Sequence, residues 1–179
     1  MRIFIASSGE RLNMAIEVGS WLEGMNVEPV LWNEPEVFPL GAYTWDALID
    51  LSENVDAAIF IFGEDDQIWF RGESTMTVRD NVLLEYGLFS GKLSKANTIF
   101  LCDGRPKLAS DLEGITWGDI RKKNSVRIKL ENWINSIRAS NQKKVKGFKI
   151  TDLNDAFQIA LKNQKTEKLR IFAISTFKS

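Results

Sequence analysis

Four short, largely apolar runs occur within residues 1–102, at residues 3–6, 29–32, 57–62 and 98–102. The runs are rich in Ile, Val and Phe, and they are continuous rather than alternating with polar residues. Such runs are typical of parallel strands that are covered on both faces, because neither face of the strand meets water. They therefore predict four buried strands of one sheet.

Between the runs, apolar residues recur three or four positions apart, which is the spacing of one helix face. This spacing predicts helices over residues 10–24, 42–54 and 124–138, and another that begins at Asp80 or Asn81. Strands that alternate with helices predict a three-layer α/β fold, with a central parallel sheet and helices on both faces.

Ligands of such sheets bind beyond the carboxyl ends of the strands, near the point where the strand order reverses. We therefore expect a site among the loops at residues 7–11, 33–41, 63–79 and 103–118. The last two are longer than most connections between a strand and a helix, and long ordered loops often carry function.

Glu85 stands out within the helix that begins near Asp80. Val82, Leu88 and Phe89 lie three or four positions from Glu85 and share its face. Burying a charged carboxylate without a partner costs several kcal/mol. We therefore expect Glu85 to have a structural hydrogen-bond donor, a raised pKa or a ligand.

The last forty residues differ in composition from the rest. Residues 140–179 contain nine Lys or Arg and three Asp or Glu, whereas the whole chain of 179 residues has a net charge of −1. The segment opens with the polar sequence NQKKVKGFK and ends with the apolar sequence LRIFAISTF. We predict a domain over residues 1–139, followed by a basic linker with an accessory element or the start of a second module over residues 140–179.

Composition also limits where the chain works and what it binds. No apolar run approaches the roughly 20 residues that a membrane helix requires, and the N-terminus has no signal-peptide pattern. We therefore expect a cytoplasmic protein without a membrane partner. The net charge argues against nucleic acid as a partner of the whole chain.

The chain has no histidine and one cysteine. These counts exclude catalytic triads built on imidazole, disulfides and most zinc sites. Asp65 and Asp66 could recruit a divalent cation, but a solvated turn is the favoured interpretation, and we expect no metal. Chemistry must then rely on carboxylates, hydroxyls and a bound small molecule.

Several further residues in the expected loops are candidates for a ligand site, each with a structural alternative. Ser7 and Ser8 could hold a phosphate or ribose, or cap a helix. Trp32 and Phe38 could stack on a nicotinamide or adenine ring, or belong to the core. Asp111 could line the site or form a turn.

The segment RDNVLLEYGLFSGKL at residues 79–93 resembles the signature RDNV-x-x-E-x-G-x-F-x-G-x-L of bacterial TIR-like domains. These domains act as effectors in cyclic-nucleotide antiphage systems, including TIR domains fused to STING. Ser7-Ser8, the loop from Trp32 to Phe38, Asp65-Asp66 and Ser110-Asp111-Leu112 are similar to that family as well. The resemblance covers about residues 1–120, and Ala109 departs from it where the family usually has proline.

The resemblance implies a flavodoxin-like TIR fold and cleavage of NAD+ to nicotinamide and ADP-ribose or a cyclic form. NAD+ would be the substrate, and no cofactor is expected. Glu85 would accept hydrogen bonds from the nicotinamide ribose and stabilise the positive charge that develops there. Asp111 would line the same pocket. Ser7, Ser8, Arg79 and Asn81 would contact ribose or phosphate.

The same resemblance implies partners. TIR enzymes typically become active when subunits assemble, so a homo-oligomer or filament is expected. A cyclic-nucleotide sensor would lie in cis beyond the chain or in trans, because residues 140–179 contain none that is recognisable. Two alternatives stay open: a non-enzymatic TIR assembly module, and an enzyme similar to nucleoside deoxyribosyltransferases.

Overall fold

The structure is a computed structural model that describes residues 1–35, 37, 38, 43–113, 115 and 117–147. Contacts divide the chain into two units, Met1–Ile134 and Asn135–Ser179, and the architecture below is that of the first. Its strands are β1 (Arg2–Ser7), β2 (Glu28–Leu31), β3 (Ala57–Phe62), β4 (Asp66–Phe70), β5 (Glu73–Thr77), β6 (Thr98–Cys102) and β7 (Gly118–Asp119). Its helices are α1 (Leu12–Gly24), α2 (Thr44–Glu53), α3 (Asp80–Leu93), α4 (Ser110–Glu113) and the start of α5 (Lys123–Gly147).

Five parallel strands form the central sheet in the order β2-β1-β3-β6-β7. In its middle, Ile5 is paired with Leu31 on one side and with Ile59 on the other. The chain proceeds from β1 outward to β2 and then returns to β3 on the opposite side. The strand order therefore reverses between β1 and β3, which places the loops after these two strands at the expected ligand crevice.

Aromatic side chains fill the face of the sheet that α2 and α3 cover. Phe89 of α3 stacks on Phe4 of β1 with ring centroids 4.9 Å apart, and Tyr86 packs edge-on against Phe60 and Phe62. Such pairs prefer these offset and edge-to-face arrangements because of the ring quadrupole. The face that α3 presents to the sheet is thus fixed by Val82, Tyr86 and Phe89, which are all buried.

The opposite face is covered by α1 and the start of α5. A Cβ on Gly19 of α1 would lie 3.6 Å from Pro29, and one on Gly118 of β7 would lie 3.1 Å from Val126 of α5. Lys123 Nζ pairs with Glu17 Oε1 at 2.6 Å, so these two helices also meet at their exposed sides. The three-layer α/β arrangement predicted from the sequence is confirmed.

The four predicted strands are correct to within one residue, but the predicted loop at residues 63–79 is not a plain loop. It contains an antiparallel hairpin of β4 and β5, joined by a turn in which Arg71 and Gly72 have φ of 52° and 88°. Both strands are largely exposed, so they lack the apolar runs that marked the buried strands. The predicted loop at residues 103–118 likewise contains α4.

Two helix boundaries also differ from the predictions. Arg79, rather than Asp80 or Asn81, is the N-cap residue of α3. The last helix continues to Gly147, so the beginning of the segment interpreted as a linker is helical. The rest of residues 140–179 lies outside the described residues, and the division at residue 139 stays a prediction. No helix in the described part of the chain is long and apolar enough to cross a membrane.

Candidate functional site

Arg11 connects three loops at the carboxyl edge of the sheet. Its Nη2 lies 3.5 Å from Asp65 Oδ1, in the loop after β3, and its Nε lies 3.1 Å from Asp103 Oδ2, after β6. The Asp65 side chain is 1% exposed and that of Arg11 is 22% exposed. A buried carboxylate needs a cation beside it. Arg11 therefore holds the loops after β1, β3 and β6 together.

Arg79 forms a second link at the same edge. Its Nη2 lies 2.9 Å from Glu10 Oε1 and 3.2 Å from Asp66 Oδ1. Hydrogen bonds to Glu10 and Asp66 raise the pKa of Arg79, and the backbone amide of Glu10 together with Arg79 lowers the pKa of Glu10. This guanidinium is thus already paired with two carboxylates.

These two links correct the interpretation of Asp65 and Asp66 as a solvated turn. The two carboxylates pair with different arginines, and Asp65 is buried. Among the described residues, no group of three or more His, Cys, Asp or Glu side chains could hold a metal ion.

Ser7, Ser8 and Trp32 lie together where β1 and β2 end. Trp32 Nε1 donates to Ser7 Oγ at 3.0 Å, and Ser7 Oγ donates to the Ser8 carbonyl at 2.9 Å. Ser8 Oγ is buried and meets no partner with hydrogen-bond geometry in the part of the chain that the structure describes, although it is near enough to Glu10 to help lower the pKa of that carboxyl. Trp32 and Phe38 are partly buried and pack against the core. Of these candidates, the Ser8 hydroxyl has the most unused hydrogen-bonding capacity.

Glu85 lies beside the buried stripe of α3 rather than in its middle. Val82, Tyr86 and Phe89 are buried, whereas Glu85 and Leu88 are half-buried. Within the described residues, the Glu85 carboxyl has no hydrogen bond or ion pair. Burial alone raises its pKa from 4.5 to about 7. Of the three expectations for Glu85, the structural donor is absent from these residues and the raised pKa is present.

Asn81 and Asp111 are exposed at the same edge of the sheet. Asn81 lies in the first turn of α3, where its backbone N–H donates to Asp80 Oδ1 at 2.7 Å. Asp111 lies in α4, within the loop that follows β6. Within the described residues, the Asn81 and Asp111 side chains make no hydrogen bond to Glu85 or to the two arginine links.

Sequence patterns did not point to Glu10, Arg11 and Asp103, which form the links described above. One signal was available: the adjacent Glu10-Arg11 pair follows β1, and the two acidic residues Asp65-Asp66 follow the neighbouring β3. Because the carboxyl ends of parallel strands meet at one edge, these pairs of residues had to approach each other.

Comparisons with known proteins bear on the family and the fold. The family model described as "CAP12/Pycsar effector protein, TIR domain" matches residues 2–122. CD-NTase-associated protein 12 of Sphingobacterium faecium is 34% identical over 137 residues, which is 76% of this chain and 42% of the relative. Pycsar effector protein PaPycTIR of Pseudomonas aeruginosa is 37% identical over 117 residues, which is 64% of this chain and 37% of the relative. The chain thus spans about two fifths of the length of these relatives.

Among solved structures, the TIR domain of the Toll-related receptor TRR-2 from Hydra magnipapillata is similar in fold, with a TM-score of 0.55. The match covers 76% of this chain and 97% of that one, at 17% sequence identity, and so bears on the fold alone. The flavodoxin-like TIR fold expected from the sequence is confirmed. Because the family model spans most of the chain, the protein belongs to the family of CAP12/Pycsar effector TIR domains.

Proposed function

We propose that this domain is an NAD+ glycohydrolase that acts as an effector in a bacterial antiphage system. It cleaves NAD+ to nicotinamide and ADP-ribose or a cyclic form, and it does so when a cyclic-nucleotide signal assembles it. The relatives whose names include "effector" support the biological role. The observation that carries the chemical role is the half-buried carboxyl of Glu85, which lacks a partner within the described residues.

The chemistry of NAD+ suits a lone carboxylate. When the bond between ribose C1′ and the nicotinamide nitrogen breaks, its electron pair goes to the ring and nicotinamide leaves as a neutral molecule. Positive charge then develops on the ribose, as it does in glycosidases. An ionised Glu85 stabilises that charge and accepts hydrogen bonds from the ribose hydroxyls. The leaving group needs no proton, which is consistent with a chain without histidine.

Substrate binding favours the ionised form of Glu85. In the free protein its pKa is about 7, so about half of the carboxyls are protonated near neutral pH. NAD+ brings a positive pyridinium ring and ribose hydroxyl donors, and both lower the pKa of a neighbouring carboxyl. The substrate thereby supplies the partner that Glu85 lacks.

Other residues of the site take supporting roles in this proposal. The buried Ser8 hydroxyl and the exposed Asn81 amide are free to contact ribose or phosphate. Ser7 acts through Trp32, because its hydroxyl accepts a hydrogen bond from the indole and so fixes the position of that ring. Trp32 and Phe38 both pack against the core. Asp111 on α4 is exposed, so its carboxylate is accessible. In this proposal it lines the pocket when subunits assemble.

The test compares NAD+ loss by the full chain and by Glu85→Gln across a wide range of protein concentrations, because assembly is concentration-dependent. Specific activity of the wild type should rise with concentration, and Glu85→Gln should lower it by about 10²-fold or more. Glu131→Gln, which makes the same change at an exposed glutamate of α5, is the control.

Three results would overturn the proposal. Full activity in a folded Glu85→Gln protein would exclude the carboxylate mechanism. Base exchange on deoxynucleosides without NAD+ loss would favour a nucleoside deoxyribosyltransferase-like enzyme. If the assembled wild type does neither, a scaffolding role is supported.

A further inference from the structure

Arg79 occupies the position immediately before α3 without capping the helix. It is the N-cap residue, but a guanidinium has donors only and cannot accept hydrogen bonds from the free N–H groups of the first turn. The guanidinium contacts Glu10 and Asp66 instead, at 2.9 Å and 3.2 Å. The start of α3 is thus held from outside the helix.

The two partners of Arg79 belong to the loops that frame the crevice. Glu10 lies in the short 3-10 turn after β1, and Asp66 is the first residue of β4, after β3. Their chain neighbours Arg11 and Asp65 pair with each other. Both arginines therefore contact the loops after β1 and β3. Arg11 links these loops to the loop after β6, and Arg79 links them to α3.

We propose that Arg79 is a positioning residue for Glu85, which fixes the start of α3 to the loops after β1 and β3, and that it does not contact the substrate. This inference rests on the proposed role of Glu85 in NAD+ cleavage. It reassigns Arg79, which the family resemblance implied as a ribose or phosphate contact.

The contacts that the Arg79 guanidinium already makes support this role. Nη2 of Arg79 faces two carboxylates, and Nε lies 3.3 Å from Asp66 Oδ1. With two carboxylates beside one guanidinium, the local charge is negative, and it disfavours binding of a phosphate because the phosphate and the carboxylates repel each other. Nη1 makes none of these contacts and the side chain is 33% exposed, but a phosphate bound at Nη1 would lie close to both carboxylates.

Geometry connects Arg79 to Glu85 along one rigid element. The two residues are six positions apart, and a helix rises 1.5 Å per residue, so they lie about 9 Å apart along the axis. A small tilt at the start of α3 moves the Glu85 carboxyl relative to the crevice. Catalytic groups displaced by as little as about 1 Å can lose about 10²-fold in rate.

The first test measures the titration of Glu85 itself, by NMR of protein labelled with ¹³C at the glutamate carboxyl, with Glu85→Gln to assign the signal. In Arg79→Gln and in Glu10→Gln, a looser helix start should admit water and lower the pKa of Glu85 by about one unit or more. Lys92→Gln is the matched control, because it breaks the exposed pair with Glu53 at the other end of α3 and should leave the titration unchanged.

The sign of the change distinguishes positioning from a direct charge effect. Removing the positive charge of Arg79 would raise the pKa of a carboxyl that felt it through space, whereas loosening the helix lowers it. An unchanged or raised pKa in Arg79→Gln would overturn the proposal. This readout does not need catalysis, so it decides the role of Arg79 even if the wild type cleaves no NAD+.

The second test separates kcat from KM for NAD+. Positioning predicts that Arg79→Gln and Glu10→Gln each lower kcat by about tenfold or more and leave KM within about twofold. Arg79→Lys should restore only part of kcat, because one ammonium cannot span both carboxylates as a guanidinium does. A substrate contact predicts the opposite: KM rises in Arg79→Gln, and it falls in Glu10→Gln because the guanidinium is released. That outcome would overturn the proposal.

Discussion

The Arg11 side chain occupies the space that a Cβ on Gly63 would fill. A methyl group at that position would lie 2.3 Å from Arg11 Nε and 2.7 Å from Asp65 Oδ1. Arg11 cannot simply move aside, because Asp65 and Asp103 hold its guanidinium on two sides. Gly63 is therefore required for the space it leaves, and the ion pairs that join three loops depend on it.

Gly63→Ala should destabilise the fold because the added methyl group displaces a buried ion pair. Overpacking of this kind typically costs about 1–3 kcal/mol. Urea unfolding at fixed pH would measure the free energy of unfolding. Gly91→Ala is the control, since a Cβ there has no heavy atom within 4 Å, and alanine in an exposed helix should stabilise by about 0.5–1 kcal/mol. Equal stability of Gly63→Ala and the wild type would show that Arg11 has room to move.

The two members of the Arg11–Asp65 pair should respond unequally to mutation. Arg11→Gln leaves the Asp65 carboxylate buried without a cation, and breaking a buried pair in this way costs about 3–5 kcal/mol. Asp65→Asn should cost less, because Arg11 keeps Asp103 as its partner. Arg2→Gln, which breaks the exposed pair with Glu28 and the hydrogen bond from Nη1 to the Asn54 carbonyl, should cost about 1 kcal/mol. Urea unfolding of the three variants would rank them, and a smaller loss in Arg11→Gln than in Asp65→Asn would contradict this account.

Glu85 should make the fold less stable as pH rises. Its pKa is 4.5 when it is unperturbed and about 7 in the folded protein, so between these values the folded state binds more protons. The free energy of unfolding therefore falls as pH increases from about 4.5 to 7, by up to about 3 kcal/mol. Glu85→Gln removes this contribution.

Thermal and urea unfolding of both proteins from about pH 5 to 8 would measure the effect, most of which is expected below about pH 7. The difference in stability should grow in favour of Glu85→Gln as pH rises. A constant difference over that window would mean that Glu85 titrates at its ordinary pKa.

The buried strands could be predicted from the sequence because burial on both faces requires continuous apolar runs. Residues 57–62 and 98–102 were placed without error for that reason. The hairpin of β4 and β5 could not be recognised in the same way, because Trp69 and most of its neighbours are exposed and no regular alternation marks them. Exposure removes the signal that sequence patterns rely on.

The candidate site likewise has one part that the sequence predicts and another that only the fold reveals. Glu85 could be singled out because a carboxylate three residues from Val82 and four from Phe89 conflicts with its surroundings. Its position at the margin of the buried stripe depends on how α3 is rotated on the sheet, which packing against Phe4 and Phe60 determines. The links of Arg11 and Arg79 join residues up to 92 positions apart, as in the Arg11–Asp103 pair, so only the fold brings them together.

The pH dependence of NAD+ cleavage should reveal Glu85 as the ionised group that the reaction uses. In the free enzyme kcat/KM should fall as pH decreases through about 7, because protonation removes the charge that stabilises the ribose cation. The kcat profile should have its midpoint at a lower pH, since bound NAD+ lowers the pKa of the carboxyl. Steady-state rates at a protein concentration that maintains assembly would give both profiles, with light scattering at each pH to confirm that assembly is unchanged. Glu85→Gln should lose the pH dependence together with most of the rate. A kcat/KM that is flat from pH 6 to 8, or that rises on acidification over about that range, would contradict the role of an ionised Glu85.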